Sequence, residues 1–384
     1  MIFCNFTLFY RSGYRRIFSN HKPAKRSPQD GAFHLEGHRP ACESSRLPIV
    51  KIISTVALQP AHRAAISAAV PGAEIVDRQC RTPEEISALV ADGCDVLLSF
   101  RMPNDVTERA RGLKWIQLLS AGADHALAGP LKSSTIPVTT ASGIHATPIA
   151  EYTMASMLSY AHRIHLAIRA QMRREWMRSG RFMAGVDEIR GLTLGIIGYG
   201  SIGRETARLG QAFGMKVLAL KRNPSERIDS GWCPAGLGDP AGTIPERFFG
   251  PEQREEILRE SDYISVTLPL TEHTRKFIGA RELGAMKPTA YLVNIGRGEV
   301  IDEHAMAEAL KAGKLGGAGL DVFEHEPLEA SSPLWELENV ILTPHISGAN
   351  RGYMDKACEL FVENLKRFAS NRPLLNVVDP KLGY

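Results

Sequence analysis

The chain has 384 residues, 44% of them hydrophobic and 23% charged, a balance that excludes wholesale disorder. No stretch approaches the ~18 continuous apolar residues of a membrane span, so no membrane partner is expected. The net charge of +4 lies in the first 47 residues, where eight Lys/Arg face three acids. The rest of the chain is near neutral, and bulk charge gives no reason to expect a nucleic-acid partner.

Residues 1–47 read as a basic, disordered extension, the alternative being an Arg-rich, acid-poor organellar transit peptide. Six cysteines (Cys4, Cys42, Cys80, Cys94, Cys233 and Cys358) include no C-x-x-C pair and no His at ligand spacing. That pattern points to neither a disulfide framework nor a metal site, and to a reducing, cytoplasmic compartment.

From Ile49 onward short apolar runs alternate with helical periodicity, the rhythm of an α/β protein. Strands are predicted at 49–53, 74–76, 95–99, 115–119 and 138–140, with an Ala-rich helix from Pro60 to Val70. A single long helix is predicted from about Pro148 to Arg178. A second series then gives six strands at 192–198, 216–220, 263–268, 290–295, 318–322 and 340–342. Nearly all their residues are apolar, as expected of parallel strands buried on both faces. The Gly- and Pro-rich stretch from Pro224 to Pro251 reads as a long inserted loop, and 351–369 as an amphipathic helix.

The predicted fold is α/β, with the second series of strands forming one doubly wound, parallel sheet.

Gly198-Tyr199-Gly200-Ser201-Ile202-Gly203 follows a strand and opens a helix, the context that makes G-x-G-x-x-G a dinucleotide fingerprint. Gly198 would permit the turn, Gly200 the approach of a pyrophosphate, and Gly203 close helix packing. The next strand ends in Lys221-Arg222-Asn223, where an NAD-binding site carries an acid. Two cations there suit a 2′-phosphate, so the cofactor is expected to be NAD(H) or NADP(H), with NADP(H) favoured.

Three later strands end in polar residues at the rim where ligands of open α/β sheets bind: Arg297, Glu326 and His345. A cation, a carboxylate and an imidazole are the parts needed for acid–base work on a bound oxyacid.

At these residues the chain resembles the D-isomer-specific 2-hydroxyacid dehydrogenases. The resemblance rests on the glycine turn, on Asn294-Ile295-Gly296-Arg297-Gly298 continuing to Asp302, on Asp321-Val322-Phe323-x-x-Glu326-Pro327, and on Thr343-Pro344-His345-Ile346-Ser347-Gly348. It implies that Arg297 holds the substrate carboxylate and carbonyl oxygen, that His345 exchanges the proton, and that Glu326 keeps His345 protonated. Glu324 is the rival acid, and Glu326 is preferred because it precedes the proline.

The resemblance also implies cofactor contacts at Leu268, Pro269, Thr274, Ile295 and Gly296, with Arg297, Asp321, His345 and Gly348 beside them. Substrate would meet the main chain at Ala121 and Gly122, and Arg101 if it is phosphorylated. The implied reaction is reversible reduction of a small 2-keto acid: hydroxypyruvate, glyoxylate or 3-phosphohydroxypyruvate. The resemblance implies two Rossmann-like domains with an active-site cleft between them. They are a discontinuous, flavodoxin-like substrate domain (48–147 plus 346–384) and a doubly wound, parallel-sheet dinucleotide domain (148–345). A homodimer is also implied by the resemblance, with the helix from Pro148 contributing. The rival reading is a corepressor-like protein that senses NAD(H).

Overall fold

The computed structural model describes residues 50–383, apart from 128, 178, 179 and 184. The basic leader, with Cys4 and Cys42, lies outside the described residues. Among the described residues twelve strands form two parallel sheets, both within the unit Ile49–Tyr384.

The first sheet contains β1 (Lys51–Ser54), β2 (Glu74–Asp77), β3 (Val96–Ser99), β4 (Trp115–Leu118) and β5 (Val138–Thr139), in the order β2-β1-β3-β4-β5. This is the flavodoxin-like order. Its central strands are buried along their whole length, which is why they read as continuous apolar runs. One face is covered by helix Tyr353–Ala369, whose Leu360, Phe361 and Leu365 join Ile52, Val96 and Trp115 in one cluster. The Phe361 and Trp115 rings lie 5.4 Å apart. The C-terminal segment therefore returns to the first sheet.

The second sheet contains β6 (Thr193–Ile197), β7 (Lys216–Leu220), β8 (Arg247–Phe249), β9 (Tyr263–Val266), β10 (Tyr291–Asn294), β11 (Gly317–Leu320) and β12 (Val340–Leu342). Its order, β12-β11-β10-β9-β6-β7-β8, is the doubly wound pattern, with the switch point between β6 and β9.

Two expectations are corrected. The sheet has seven strands, because β8 forms near the end of the expected loop and pairs with β7, Leu218 opposite Arg247. Three residues flanked by Pro245 and Gly250 carry too little pattern to be read as a strand. Phe249 is nonetheless buried, with Arg247 stacked 4.5 Å over its ring. The expected long helix is two, Ala146–Ala161 and Ile164–Met172. Arg163 breaks it with φ 55°, in the left-handed region. Its Nε donates to the Gly185 carbonyl at 2.5 Å and its guanidinium lies 5.2 Å over the Tyr160 ring.

Helix Ala146–Ala161 leads from one sheet to the other. Ile149, Met154 and Met157 pack with Ile196 and Val293, and Tyr160 stacks on Tyr291 at 4.1 Å.

Candidate active site

The glycine turn sits at the carboxyl end of β6. Gly198 has φ 108°, a left-handed conformation that favours glycine, and a Cβ there would lie 2.8 Å from Thr267 Oγ1. A Cβ on Gly203 would stand 2.3 Å from the Gly198 carbonyl oxygen, so helix Ser201–Ala212 packs against the turn only because that residue is glycine. Gly200 differs: no atom lies within 4 Å of where its Cβ would be. Open space there, beside helix N–H groups that have no intrahelical acceptor, suits a dinucleotide pyrophosphate. Tyr199 is buried, with its hydroxyl donating to Asp239 Oδ2 at 2.7 Å, so its side chain faces away from that cradle, and Ile202 is half-buried against the core.

The residues after β7 begin the insert. Lys221 donates to the Glu226 carbonyl, and burial lowers its pKa below the usual lysine value. Arg222 is exposed beside it. Asn223 Oδ1 accepts from the Ser225 N–H at 3.2 Å, closing an Asx turn.

Beyond β9, Leu268 borders both Gly198 and Gly296, and a Cβ on Gly296 would lie 2.6 Å from the Leu268 carbonyl oxygen. Thr274 donates to the Pro269 carbonyl at 2.6 Å and accepts the Thr271 N–H at 2.7 Å, which fixes that loop. After β10, buried Ile295 precedes Gly296, whose N–H donates to Asn294 Oδ1 at 3.2 Å. Asn294 Nδ2 in turn donates to the Arg297 carbonyl at 3.1 Å.

Arg297 reaches out of this rim toward the first sheet. Its Nη1 donates to the Gly296 carbonyl at 2.9 Å and its Nη2 stands 3.3 Å from Asp124 Oδ1. A Cβ on Gly122 would be 2.4 Å from Nη2, so the guanidinium lies directly against the 120–124 loop. Ser120 Oγ donates to the Gly122 carbonyl at 2.9 Å, and Ala121 is half-buried between them. Arg101 donates to the Arg81 carbonyl at 2.8 Å.

His345 Nδ1 is 2.8 Å from Glu326 Oε2, and Glu326 Oε1 accepts the Phe323 N–H at 3.1 Å. The hydrogen bond to Glu326 raises the His345 pKa above the usual imidazole value, against the opposing effects of burial and of Arg297. Burial pushes the Glu326 carboxyl up, but the bond and charge of His345 leave it below the usual carboxylate range. Glu324 turns to Glu303, accepting its N–H at 3.3 Å, so the rival acid faces another helix.

His345 has φ 54°, and Asp321 holds the loop in that conformation. The Asp321 side chain is fully buried. Its Oδ1 accepts from Thr343 Oγ1 at 2.6 Å and the Ile346 N–H at 2.9 Å, and its Oδ2 accepts the Ser347 N–H at 2.8 Å.

Sequence reasoning missed two neighbours. Asp124 lies in the identified loop, but nothing in the pattern marks it as the partner of Arg297. His145 precedes helix Ala146–Ala161, and a Cβ on Gly348 would stand 3.0 Å from its ring. Burial, with the charges of Lys356 and Arg297, pushes its pKa down to about 4, so it is neutral at physiological pH. A lone histidine ahead of a helix carries no signal in the sequence.

The geometry thus gathers a cation, a main-chain loop and an imidazole–carboxylate pair around one cleft, beside a dinucleotide turn. Residues 154–347 match the sequence pattern of the D-isomer specific 2-hydroxyacid dehydrogenase NAD binding domain. A glyoxylate reductase of Aeropyrum pernix is 36% identical over 316 residues, covering 80% of this chain and 89% of that protein. A glyoxylate reductase of Pyrococcus furiosus is 34% identical over 292 residues, covering 74% and 80%. Among solved structures, the NADPH-dependent glyoxylate/hydroxypyruvate reductase of Sinorhizobium meliloti, in complex with NADP and sulfate, superposes with a TM-score of 0.70 at 27% identity, over 87% of this chain and 100% of that one. A D-isomer specific 2-hydroxyacid dehydrogenase of Xanthobacter autotrophicus, with NADPH and MES, gives 0.69 at 29% identity, over 87% and 99%.

Proposed function

Since the chain belongs to the D-isomer specific 2-hydroxyacid dehydrogenase family and is therefore an NAD(P)-dependent oxidoreductase, we propose that it reduces glyoxylate and hydroxypyruvate to the 2-hydroxy acids. The relatives named for those substrates support the choice. The observation that carries the chemistry is the 2.8 Å contact between His345 and Glu326 on the rim that also bears Arg297.

The reading gives Gly198, Gly200, Ser201, Ile202 and Gly203 the pyrophosphate through their main chain, and Leu268, Pro269, Thr274, Ile295 and Gly296 the nicotinamide end. Bound there, the nicotinamide supplies or accepts the hydride. Arg297 pairs with the substrate carboxylate and polarises the carbonyl oxygen, helped by the Ala121 and Gly122 main chain. His345, kept protonated by Glu326, gives its proton to that oxygen and takes it back in the oxidative direction. Arg297 and His345 provide the charge, so the reading calls on no metal. Asp321 acts on the loop that carries His345.

Finer points follow the same reading. NADP(H) is the preferred cofactor, supported by the Lys221-Arg222 pair and the absence of an acid at that strand end. A homodimer is supported by an exposed apolar stripe, Ile164, Ile168 and Met172, with Trp176 beyond it at 83% exposure. A reducing, cytoplasmic setting is supported by the free thiols of Cys80, Cys94, Cys233 and Cys358. No described helix is long and apolar enough to cross a membrane.

The test is loss of nicotinamide absorbance with purified protein. NADH and NADPH are each paired with glyoxylate, hydroxypyruvate, pyruvate and 3-phosphohydroxypyruvate, with His345→Asn and Arg297→Ala as blanks. Turnover of the first two above both blanks is expected. Cofactor binding without turnover on any keto acid would favour the nucleotide-sensing reading instead.

A further inference from the structure

The 224–250 insert is anchored at two places that belong to different sheets. On the side of the glycine turn, Arg204 is 2% exposed, its guanidinium 4.8 Å over the Tyr199 ring. It donates to the Arg227 carbonyl at 2.7 Å and to the Asp239 carbonyl. Glu205 accepts the Gly238 N–H at 2.7 Å. These bonds run from the helix that follows the turn into the body of the insert.

The other anchor is Trp232. Its N–H donates to Asn376 Oδ1 at 3.0 Å, and Asn376 Nδ2 donates to the Ser142 carbonyl at 2.8 Å. A Cβ on Gly143 would lie 2.2 Å from the Trp232 carbonyl oxygen and 3.0 Å from the indole ring. The indole packs against the core of the first sheet. Gly143, at φ 97°, stands where the chain leaves that sheet for helix Ala146–Ala161. Two residues on, His145 meets Gly348 and feels the charge of Arg297.

We propose that the insert is a strap across the two sheets, and that Trp232 is a positioning residue that holds Ser142–His145 against the His345 loop and so shapes the substrate end of the cleft. Contact passes from Trp232 to Gly143, and then through His145 to Gly348. The strap is a covalent loop of the nucleotide-binding sheet, so it adds a link beside the two chain crossovers. Removing the indole takes away its packing on Gly143 and leaves the Trp232 N–H bond to Asn376, so the crossover loosens while Arg204, Tyr199 and Asp239 still hold the insert at the turn. Substrate positioning should suffer and cofactor binding should not.

The activity arm rests on the proposed function, so the experiment has a second readout. Trp232→Ala and Trp232→Phe are made in the full chain. Amide hydrogen exchange is followed over residues 142–147 and 198–203, NADPH affinity by direct titration, and KM for glyoxylate by turnover. In Trp232→Ala, exchange over 142–147 should quicken about tenfold, with 198–203 unchanged. KM should rise about tenfold, with NADPH affinity within about twofold of wild type. Both variants keep the main-chain bond to Asn376, and Trp232→Phe also keeps a ring, so it should restore most of both effects; it carries the test at smaller amplitude if Trp232→Ala does not fold. Unchanged exchange over 142–147, or NADPH affinity falling in step with KM, overturns the strap. A wild-type enzyme that turns over no keto acid overturns the functional reading instead, and exchange then judges the strap.

Discussion

Glu326 divides its two oxygens between the protein and the imidazole, with Oε1 on the Phe323 N–H at 3.1 Å and Oε2 at 2.8 Å from His345 Nδ1. The first bond aims the carboxylate and the second sets the charge of the histidine. With the His345 pKa raised by that bond, keto-acid reduction should be fast at low pH and fall as pH rises through the raised value. Oxidation, which needs neutral His345, should show the opposite limb. Glu326→Gln keeps the shape and removes the charge, so the fall should move to lower pH. At neutral pH kcat/KM for reduction should drop at least about tenfold. A pH profile unchanged in Glu326→Gln would refute the pairing as the cause.

The same pair sets a stability window. His345, raised in the folded state, contributes stability below its unfolded pKa that is lost as pH rises through the folded one. Glu326, lowered in the folded state, contributes above its unfolded pKa and loses it as pH falls through the folded one. The contribution is greatest between the ordinary carboxylate and imidazole values. Both side chains are more than a third exposed, so solvent screening keeps it small. Urea midpoints of wild type and Glu326→Gln should differ most in that window and converge above and below it.

Asp321 is expected to act through the loop it holds. With three donors on one fully buried carboxylate, Asp321→Ala leaves two main-chain N–H groups unpaired and His345 free to leave its left-handed conformation. Hydrogen bonds to charged groups are worth about 1.5–3 kcal/mol each, so denaturant unfolding should show a loss of several kcal/mol. Turnover should fall even where the protein remains folded. Full activity with unchanged stability would remove Asp321 from this role.

The alternation of apolar runs with helical spacing made the two sheets legible, because strands buried on both faces leave continuous apolar sequence. The triad was legible for another reason: Arg297, Glu326 and His345 each follow a strand of one sheet, and strand ends share a rim. What escaped notice depends on contacts far apart in sequence. The break at Arg163 goes with its bond to the Gly185 carbonyl, 22 residues on. β8 exists because Phe249 finds a core to enter. The insert reads as a long loop until Trp232 is seen against Gly143 and Asn376. Tyr199 sits in the fingerprint, yet its side chain is buried on Asp239 and serves the fold.

Cofactor choice is testable at the end of β7. A 2′-phosphate gains from nearby cations, whereas a free 2′-hydroxyl does not, so Lys221→Ala with Arg222→Ala should weaken NADPH more than NADH. Charge-assisted contacts of about 1.5–3 kcal/mol imply a loss of tenfold or more for NADPH. Equal loss for both nucleotides in a direct titration would refute the preference.

The proposed homodimer rests on Ile164, Ile168 and Met172, four residues apart on one helix face, with exposures of 44%, 54% and 82%. Side chains at that spacing form one stripe, and Trp176, at 83% exposure, lies just beyond the helix. A large apolar stripe left in water is unfavourable by about 25 cal/mol per Å², which a second copy would relieve by packing the same stripe against its own. Ile168→Glu puts a charge at the centre of the stripe and, at an exposed position, should leave the monomer fold intact. Sedimentation at micromolar concentration should give a dimer for the wild type and a monomer for the variant, with similar urea midpoints for the monomer fold. A wild-type monomer, or a variant that stays dimeric, would place any association on another surface.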